Sequence, residues 1–187
     1  MSGEPRASES VSADQPATPE DVERPASTAL FGLGPIDLSG VAASKDAIHE
    51  LIAHRGQMSL LDRVAWVDVA ALRGIAIVEP DPGAFWIPGH FPGHPLMPGV
   101  LQVEAGAQLC CFLHNSRLGS MRKAAFIRLE DCVFRNPVTP NDTLYLLVDG
   151  EKFSTKRFIA RVQGLLAPGT ADERVSFEAR ITGMTIR

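Results

Sequence analysis

The sequence predicts an α+β domain in which one antiparallel sheet of about six strands curls around a long central helix. Three observations carry this. One helical candidate is apolar on every side, so it needs structure wrapped around it. Two strand candidates precede that helix and four follow it. The connections between consecutive strands are short, which favours antiparallel pairing over crossover units. With 187 residues, 45% of them hydrophobic and 21% charged, the chain has room for one ordinary domain and a tail.

Residues 1–28 contain no Leu, Ile, Phe, Trp or Tyr, but four Pro, five Ser and six acids against two bases. Such a segment buries too little apolar surface to offset its ordering entropy, so a disordered acidic tail is expected. It accounts for the whole net charge of −4, and the domain, residues 29–187, is neutral by count. A Gly/Pro-punctuated lead-in occupies 29–43. Over 44–53 a short helix is predicted: Ser44 suits the N-cap, Asp46 the first turn, and Ala47, Ile48, Leu51 and Ile52 form one stripe.

β-branched and apolar residues mark strands at 60–69 and 73–78, followed by a Pro/Gly-dense loop over 80–98. The long helix runs from Gly99 to about Ser116, with Pro98 suited to its first turn. Strands are then expected at 124–135, 143–149, 153–163 and 174–186. The last alternates cleanly, with Val175, Phe177, Ala179 and Ile181 on one face and Ser176, Glu178, Arg180 and Thr182 on the other. Asn141-Asp142 and Ala167-Pro168-Gly169 sit where turns are needed.

Composition excludes several function classes. A neutral domain without a basic run argues against dedicated nucleic-acid binding. No stretch approaches the roughly 20 apolar residues of a membrane span, and no basic segment followed by an apolar run suggests export. Cys110, Cys111 and Cys132 are odd in number, and two are adjacent, which fits free thiols in a reducing cytosol. A cytoplasmic protein is expected.

The candidate chemistry begins on the long helix. Val100 to Leu113 reads VLQVEAGAQLCCFL, and Glu104 is its one charged residue. Glutamate is almost never fully buried unless paired. One reading is a buried ion pair or a subunit seam. The other is a carboxyl group that desolvation keeps protonated near neutrality, and hence a proton donor. The preceding loop adds weight to the second. Residues 88–99 read PGHFPGHPLMPG, a composition that fixes the backbone at each proline and permits close approach at each glycine. It looks built to hold His90 and His94 rigidly, and it delivers the chain into a helix N-terminus whose free amides suit a developing oxyanion.

The remaining candidates are weaker. His90 and His94 with Cys110 or Cys111 would be a metal set, but their segment is too rich in Pro and Gly for a helix to align them, so no metal or cofactor is expected. The cysteine pair reads as core packing. His114, near a helix C-terminus, reads as a surface or dipole-compensating residue. His54-Arg55 is either a cap or part of a site. No phosphate loop, serine elbow or dinucleotide fingerprint occurs.

The run from Gly89 to Leu101 (GHFPGHPLMPGVL), with Glu104-Ala105 and Ala107-Gln108, closely resembles the signature of bacterial 3-hydroxyacyl-(acyl-carrier-protein) dehydratases. His54-Arg55 with Leu61-Asp62-Arg63-Val64 resembles that family's opening motif, and Phe134-Arg135-Asn136-Pro137-Val138 with Pro140 and Asp142 its later strand–turn block. The resemblance extends from about Ile52 to the C-terminus. It implies a hot-dog fold and a homodimer, or a hexamer built as a trimer of dimers, acting on acyl carrier protein. His90 would come from one chain and Glu104 from the other. Glutamate at 104, where a related branch has aspartate, implies dehydration without isomerisation.

By the same resemblance, His90 would take the C2 proton, the Gly99 amide would bind the thioester oxygen, and Glu104 would protonate the departing hydroxyl. The carbonyl of Leu96 would set the tautomer of His90, Gln108 would support the acid, and Phe91 and Val100 would border the substrate. The roles are physically coherent, since one lost oxyanion donor costs about 3 kcal/mol. Gly56-Gln57-Met58-Ser59, Arg128 and Asn136 depart from the family pattern, at the outer wall, the tunnel or the carrier surface. Two alternatives remain open: a hot-dog hydratase or thioesterase acting on coenzyme A thioesters, and a non-catalytic acyl-binding scaffold.

Overall fold

The computed structural model describes residues 28–186. The tail expected over 1–28 lies outside them except for Thr28, whose N–H and hydroxyl donate to Glu173 Oε1. Helix α1 spans Lys45–Leu51, and Ser44 caps it by accepting from the Ala47 N–H. Strands β1 (Arg63–Asp68) and β2 (Arg73–Val78) follow, then helix α2 (Gly99–Leu118). The chain ends in β3 (Ala124–Phe134), β4 (Leu144–Phe153), β5 (Arg157–Leu166) and β6 (Arg174–Thr185).

Several boundaries differ from the sequence reading, β5 among them at Arg157–Leu166, and two differ for a clear local reason. β1 begins at Arg63, because Gly56–Met58 form a single 3-10 turn and the Leu60 N–H is taken by the Gln108 side chain. β4 runs on to Phe153, because Gly150 stays paired with Ala160 and the extra residue, Glu151, is absorbed as a bulge rather than ending the strand. A Cβ at Gly150 would sit 2.6 Å from Leu72 Cβ, so only glycine lets the strand pass that close. The hairpin then turns at Ser154, whose Oγ accepts from the Arg157 N–H.

The six strands pair antiparallel in the order β1-β2-β4-β5-β6-β3. The strand that leaves α2 therefore crosses to the far edge of the sheet. The sheet curls around α2, burying Val103, Ala105, Leu109, Cys110 and Leu113 against Ala76, Leu146, Val162, Phe177 and Ile181. Gly106 permits the closest approach, since a Cβ would fall 2.5 Å from Val162 Cγ1. The opposite face of the sheet carries a second cluster, Ile75, Ile77, Leu147 and Leu165, covered by Phe31 of the lead-in with Leu30 and Leu33. Arg73 lies over the Phe31 ring at 5.2 Å from its centroid. Burying a side chain of this size contributes about 2 kcal/mol, which ties the lead-in to the sheet.

His114 corrects the sequence reading. It is buried, bonds the Ser154 carbonyl through Nε2 at 2.7 Å, and packs on Phe153 and Phe158. The β4–β5 hairpin covers His114, which the sequence had read as a surface or dipole-compensating residue. No helix among the described residues is long and apolar enough to cross a membrane.

The two edges of the sheet differ. β1 is met by the lead-in through an Ala43–Val64 bridge. Among the described residues β3 pairs only with β6, which leaves its outer edge bare. Phe126, Ile127, Leu129, Val133 and Phe134 along it are each more than 40% exposed.

Candidate active site

One cavity borders each end of β3. At the Phe134 end, a cavity of about 420 Å³ is lined by His90, Leu96, Gly99, Val100, Phe134 and Asn136, among others. Its loop is tied down at several points. Trp86 and Met97 are buried, the His90 N–H donates to Trp86 O, and the Met97 N–H donates to Val138 O. Gly93 takes a left-handed backbone at φ 79°, and Phe91 does so at φ 60° without being glycine. Such a residue costs on the order of 1 kcal/mol and persists where the surroundings over-determine it. Here the Phe91 ring lies 4.3 Å from that of His90.

His90 Nδ1 is 2.7 Å from the carbonyl oxygen of Leu96. A carbonyl only accepts, so Nδ1 carries the hydrogen and Nε2 keeps a lone pair in the neutral ring. Beside it, α2 starts at Gly99 after Pro98, with no side-chain cap. The first helical bonds are made by Leu101 and Gln102, so the Gly99 and Val100 N–H groups have no backbone acceptor in the described chain. A Cβ at Gly99 would fall 2.6 Å from the Phe134 ring, so glycine lets that ring close over the helix start. This end therefore holds a base and two free amides in one cavity.

At the Ala124 end, a smaller cavity of about 60 Å³ is lined by Glu104, His54, Gln108 and Cys111, with Ala124–Phe126 of β3 forming one wall. The Glu104 side chain is 27% exposed in the single chain, because this cavity opens beside the bare edge of β3. The sequence had left it no solvated face. Gln108 Nε2 donates to Glu104 Oε1 at 3.0 Å and to Met58 O, while its Oε1 accepts from the Leu60 N–H. His54 Nε2 lies 3.3 Å from the same Glu104 oxygen. Arg55 takes the capping role that the sequence left open, donating to the carbonyls of His49, Ile52 and His54. Burial and the Glu104 charge push the Cys111 thiol up to about 12.

The two cavities share no lining residue. Gly99 and Glu104 are five positions apart, which turns them about 140° from one another around an α-helix. His94 is exposed and outside both cavities. Arg128 is exposed on β3 beside Glu130, away from His90, whereas Asn136 lines the His90 cavity and donates to the Val175 carbonyl. The role sequence reasoning missed is that of His54 beside Glu104. Only the pairing of its motif with the helix motif hinted at it.

A family profile described as a FabA-like domain matches residues 52–179, most of the chain. The chain belongs to the FabA-like family. Among curated relatives in this family, the 3-hydroxyacyl-(acyl-carrier-protein) dehydratase FabZ of Rickettsia felis is 36% identical over 145 residues, covering 73% of this chain and 92% of the relative. The protein of the same name from Rickettsia africae is 33% identical over the same span. Among solved structures, the dehydratase heterocomplex ApeI:P from Xenorhabdus doucetiae superposes with a TM-score of 0.62 at 14% identity, over 75% of this chain and 91% of that one. The FabA-like chain thus has the hot-dog fold, a curled sheet around one long helix.

Proposed function

We infer that this chain removes water from 3-hydroxyacyl groups on acyl carrier protein, giving trans-2-enoyl thioesters in fatty-acid elongation. The observation that carries the reading is His90, whose Nδ1 is engaged by Leu96 O while Nε2 shares a cavity with two free amides. Nε2 takes the C2 proton. The electron pair moves toward the thioester oxygen, which the Gly99 N–H receives, with the Val100 N–H beside it. A preorganised donor at that oxygen is worth about 3 kcal/mol of barrier. The pair then forms the C2–C3 double bond as the C3–O bond breaks. Hydroxide is a poor leaving group, so Glu104 supplies the proton that lets it depart as water. Leu96 serves through its carbonyl, Gln108 holds the carboxyl, and Phe91 and Val100 border the acyl thioester.

Base and acid lie at opposite ends of the bare edge strand, and this favours a site shared by two chains. Antiparallel pairing of two β3 edges about a two-fold axis sets the Ala124 end of one against the Phe134 end of the other. The exposed apolar residues of β3 become buried, and the acid cavity of one protomer meets the base cavity of its partner. An uncovered apolar edge is otherwise a liability. The homodimer is thus the catalytic unit, and a cytoplasmic location suits its carrier-bound substrate.

Incubation with a 3-hydroxyacyl carrier thioester, followed by enoyl absorbance, tests the reading. Enoyl product is expected. Release of free carrier thiol would replace the reading with thioester hydrolysis, and no change would replace it with acyl binding alone.

A further inference from the structure

We propose that His54 is a positioning residue of the acid half, acting through Glu104. It holds Oε1 as an acceptor, so that the proton delivered to the leaving hydroxyl rides on Oε2. The proposal rests on the reading of Glu104 as the general acid.

Two side chains converge on one oxygen of this carboxyl. Gln108 Nε2 reaches Oε1 at 3.0 Å and His54 Nε2 lies 3.3 Å from it, while Oε2 has no partner in the described chain. Both are anchored. Gln108 is fixed by Met58 O and the Leu60 N–H, and the backbone of His54 is gripped by Arg55, which donates to its carbonyl and to those of His49 and Ile52. The second nitrogen of His54, Nδ1, is buried without a hydrogen-bond partner.

These facts choose a tautomer. With its hydrogen on Nδ1, the neutral ring would strand a buried donor and aim the Nε2 lone pair at a carboxyl oxygen. With the hydrogen on Nε2, the donor faces Oε1 and only a bare lone pair is left buried. A carboxylic acid has one proton, and an oxygen that accepts the Gln108 amide and faces the His54 N–H is the wrong place for it. The proton therefore sits on Oε2. At 3.3 Å His54 Nε2 stands beside Oε1 without a formed hydrogen bond in the single chain. Catalytic contacts of this kind tighten when substrate closes the site.

A residue that acts only through the acid matters only when the leaving group needs a proton. The test compares loss of water from a 3-hydroxyacyl carrier thioester with loss of fluoride from the 3-fluoroacyl analogue of equal chain length. In both, the base takes the C2 hydrogen and C2=C3 forms. Fluoride leaves with the C–F electron pair and needs no proton. His54→Ala is expected to slow loss of water about 30-fold in kcat with little change in KM, and loss of fluoride by less than about 3-fold. His54→Gln, whose amide can donate to the same oxygen, is expected to restore loss of water to within about 5-fold of wild type.

Equal slowing on both substrates, wild-type loss of water in His54→Ala, or a glutamine variant as slow as the alanine one overturns the proposal. Melting curves identify an alanine variant that fails to fold, and His54→Asn, too short to reach Oε1, then takes its place. Glu104→Gln run alongside separates the two readings. If it keeps wild-type loss of water, Glu104 is not the acid; if it is dead while His54→Ala is unimpaired, only the role of His54 falls.

Discussion

The two ends of β3 hold the two halves of the proposed site, and they are built by different means. The half at Phe134 is mostly main chain. A carbonyl sets the tautomer of His90, and the Gly99 and Val100 amides are left without a backbone acceptor, all held by a loop that turn bonds and prolines make rigid. The half at Ala124 is a convergence of side chains, with Glu104 and Gln108 from α2 meeting His54 from the segment after α1. Main-chain groups resist substitution, because a point mutation seldom removes a carbonyl or an amide. A side-chain cluster can be taken apart one residue at a time. The acid half is therefore where variants will resolve individual contributions.

The sharpest break removes one half at a time. His90→Ala and Glu104→Gln are each expected to lower kcat by about 1,000-fold or more, while circular dichroism and the oligomeric state stay unchanged. Each dead variant keeps the other half intact, so mixing the two should restore activity in heterodimers, up to about a quarter of wild type at equal ratio if subunits exchange at random. Recovery is read by enoyl absorbance after subunit exchange. Demonstrated exchange without recovery would confine the site to one chain.

A milder break leaves both halves in place and separates them. Leu129 and Val133 lie on the bare edge of β3, away from either cavity, and both are exposed in the single chain. The double variant Leu129→Lys/Val133→Lys sets like charges along that edge, and such charges discourage edge pairing. Size-exclusion chromatography is expected to show monomer, with kcat/KM falling about 100-fold as each acid cavity loses its partner base. A monomer of undiminished activity would dissolve the comparison, since one chain would then hold a complete site.

How much of this was legible in the sequence follows the same division. The base half lies within 88–100, and its composition announces both a rigid loop and a helix start. Local spacing is enough when the acting groups are consecutive backbone amides. The strands and α2 were legible because period-2 and all-round apolar patterns survive any tertiary context. Their order was not, because β3 crosses to the far edge through pairing that no local signal encodes. Nor was His114, since what buries it is the Ser154 hairpin, forty residues downstream. His54 sits fifty residues from Glu104, and sequence alone cannot choose between a helix cap and a site. The choice came from Arg55, which takes the carbonyls and leaves the imidazole free to face the acid. The lead-in, read only as punctuation, covers the outer face of the sheet through Phe31, a contact with no periodicity to reveal it.

The smallest expected effect tests how dry the acid half is. Cys111 lines the Glu104 cavity, and its thiol is pushed up to about 12 by burial first and by the Glu104 charge second. A raised thiol pKa means that the neutral form persists across the working range, and the thiolate, the form that reacts, appears only as pH climbs toward that value. Cys110, fully buried, is displaced in the same direction. Iodoacetamide at pH 8 is therefore expected to leave both unmodified in the folded protein while denatured controls react at all three cysteines, with mass spectrometry of the peptides as the readout. Cys132, only partly buried, is the thiol expected to label first. Activity should fall by less than about 2-fold over the same exposure, since no thiol takes part in the proton transfers. Rapid labelling of Cys111 at pH 8 would mean that water and reagent reach the Glu104 cavity freely. The acid half would then be as open as the base half, and the contrast between them would rest on their construction alone.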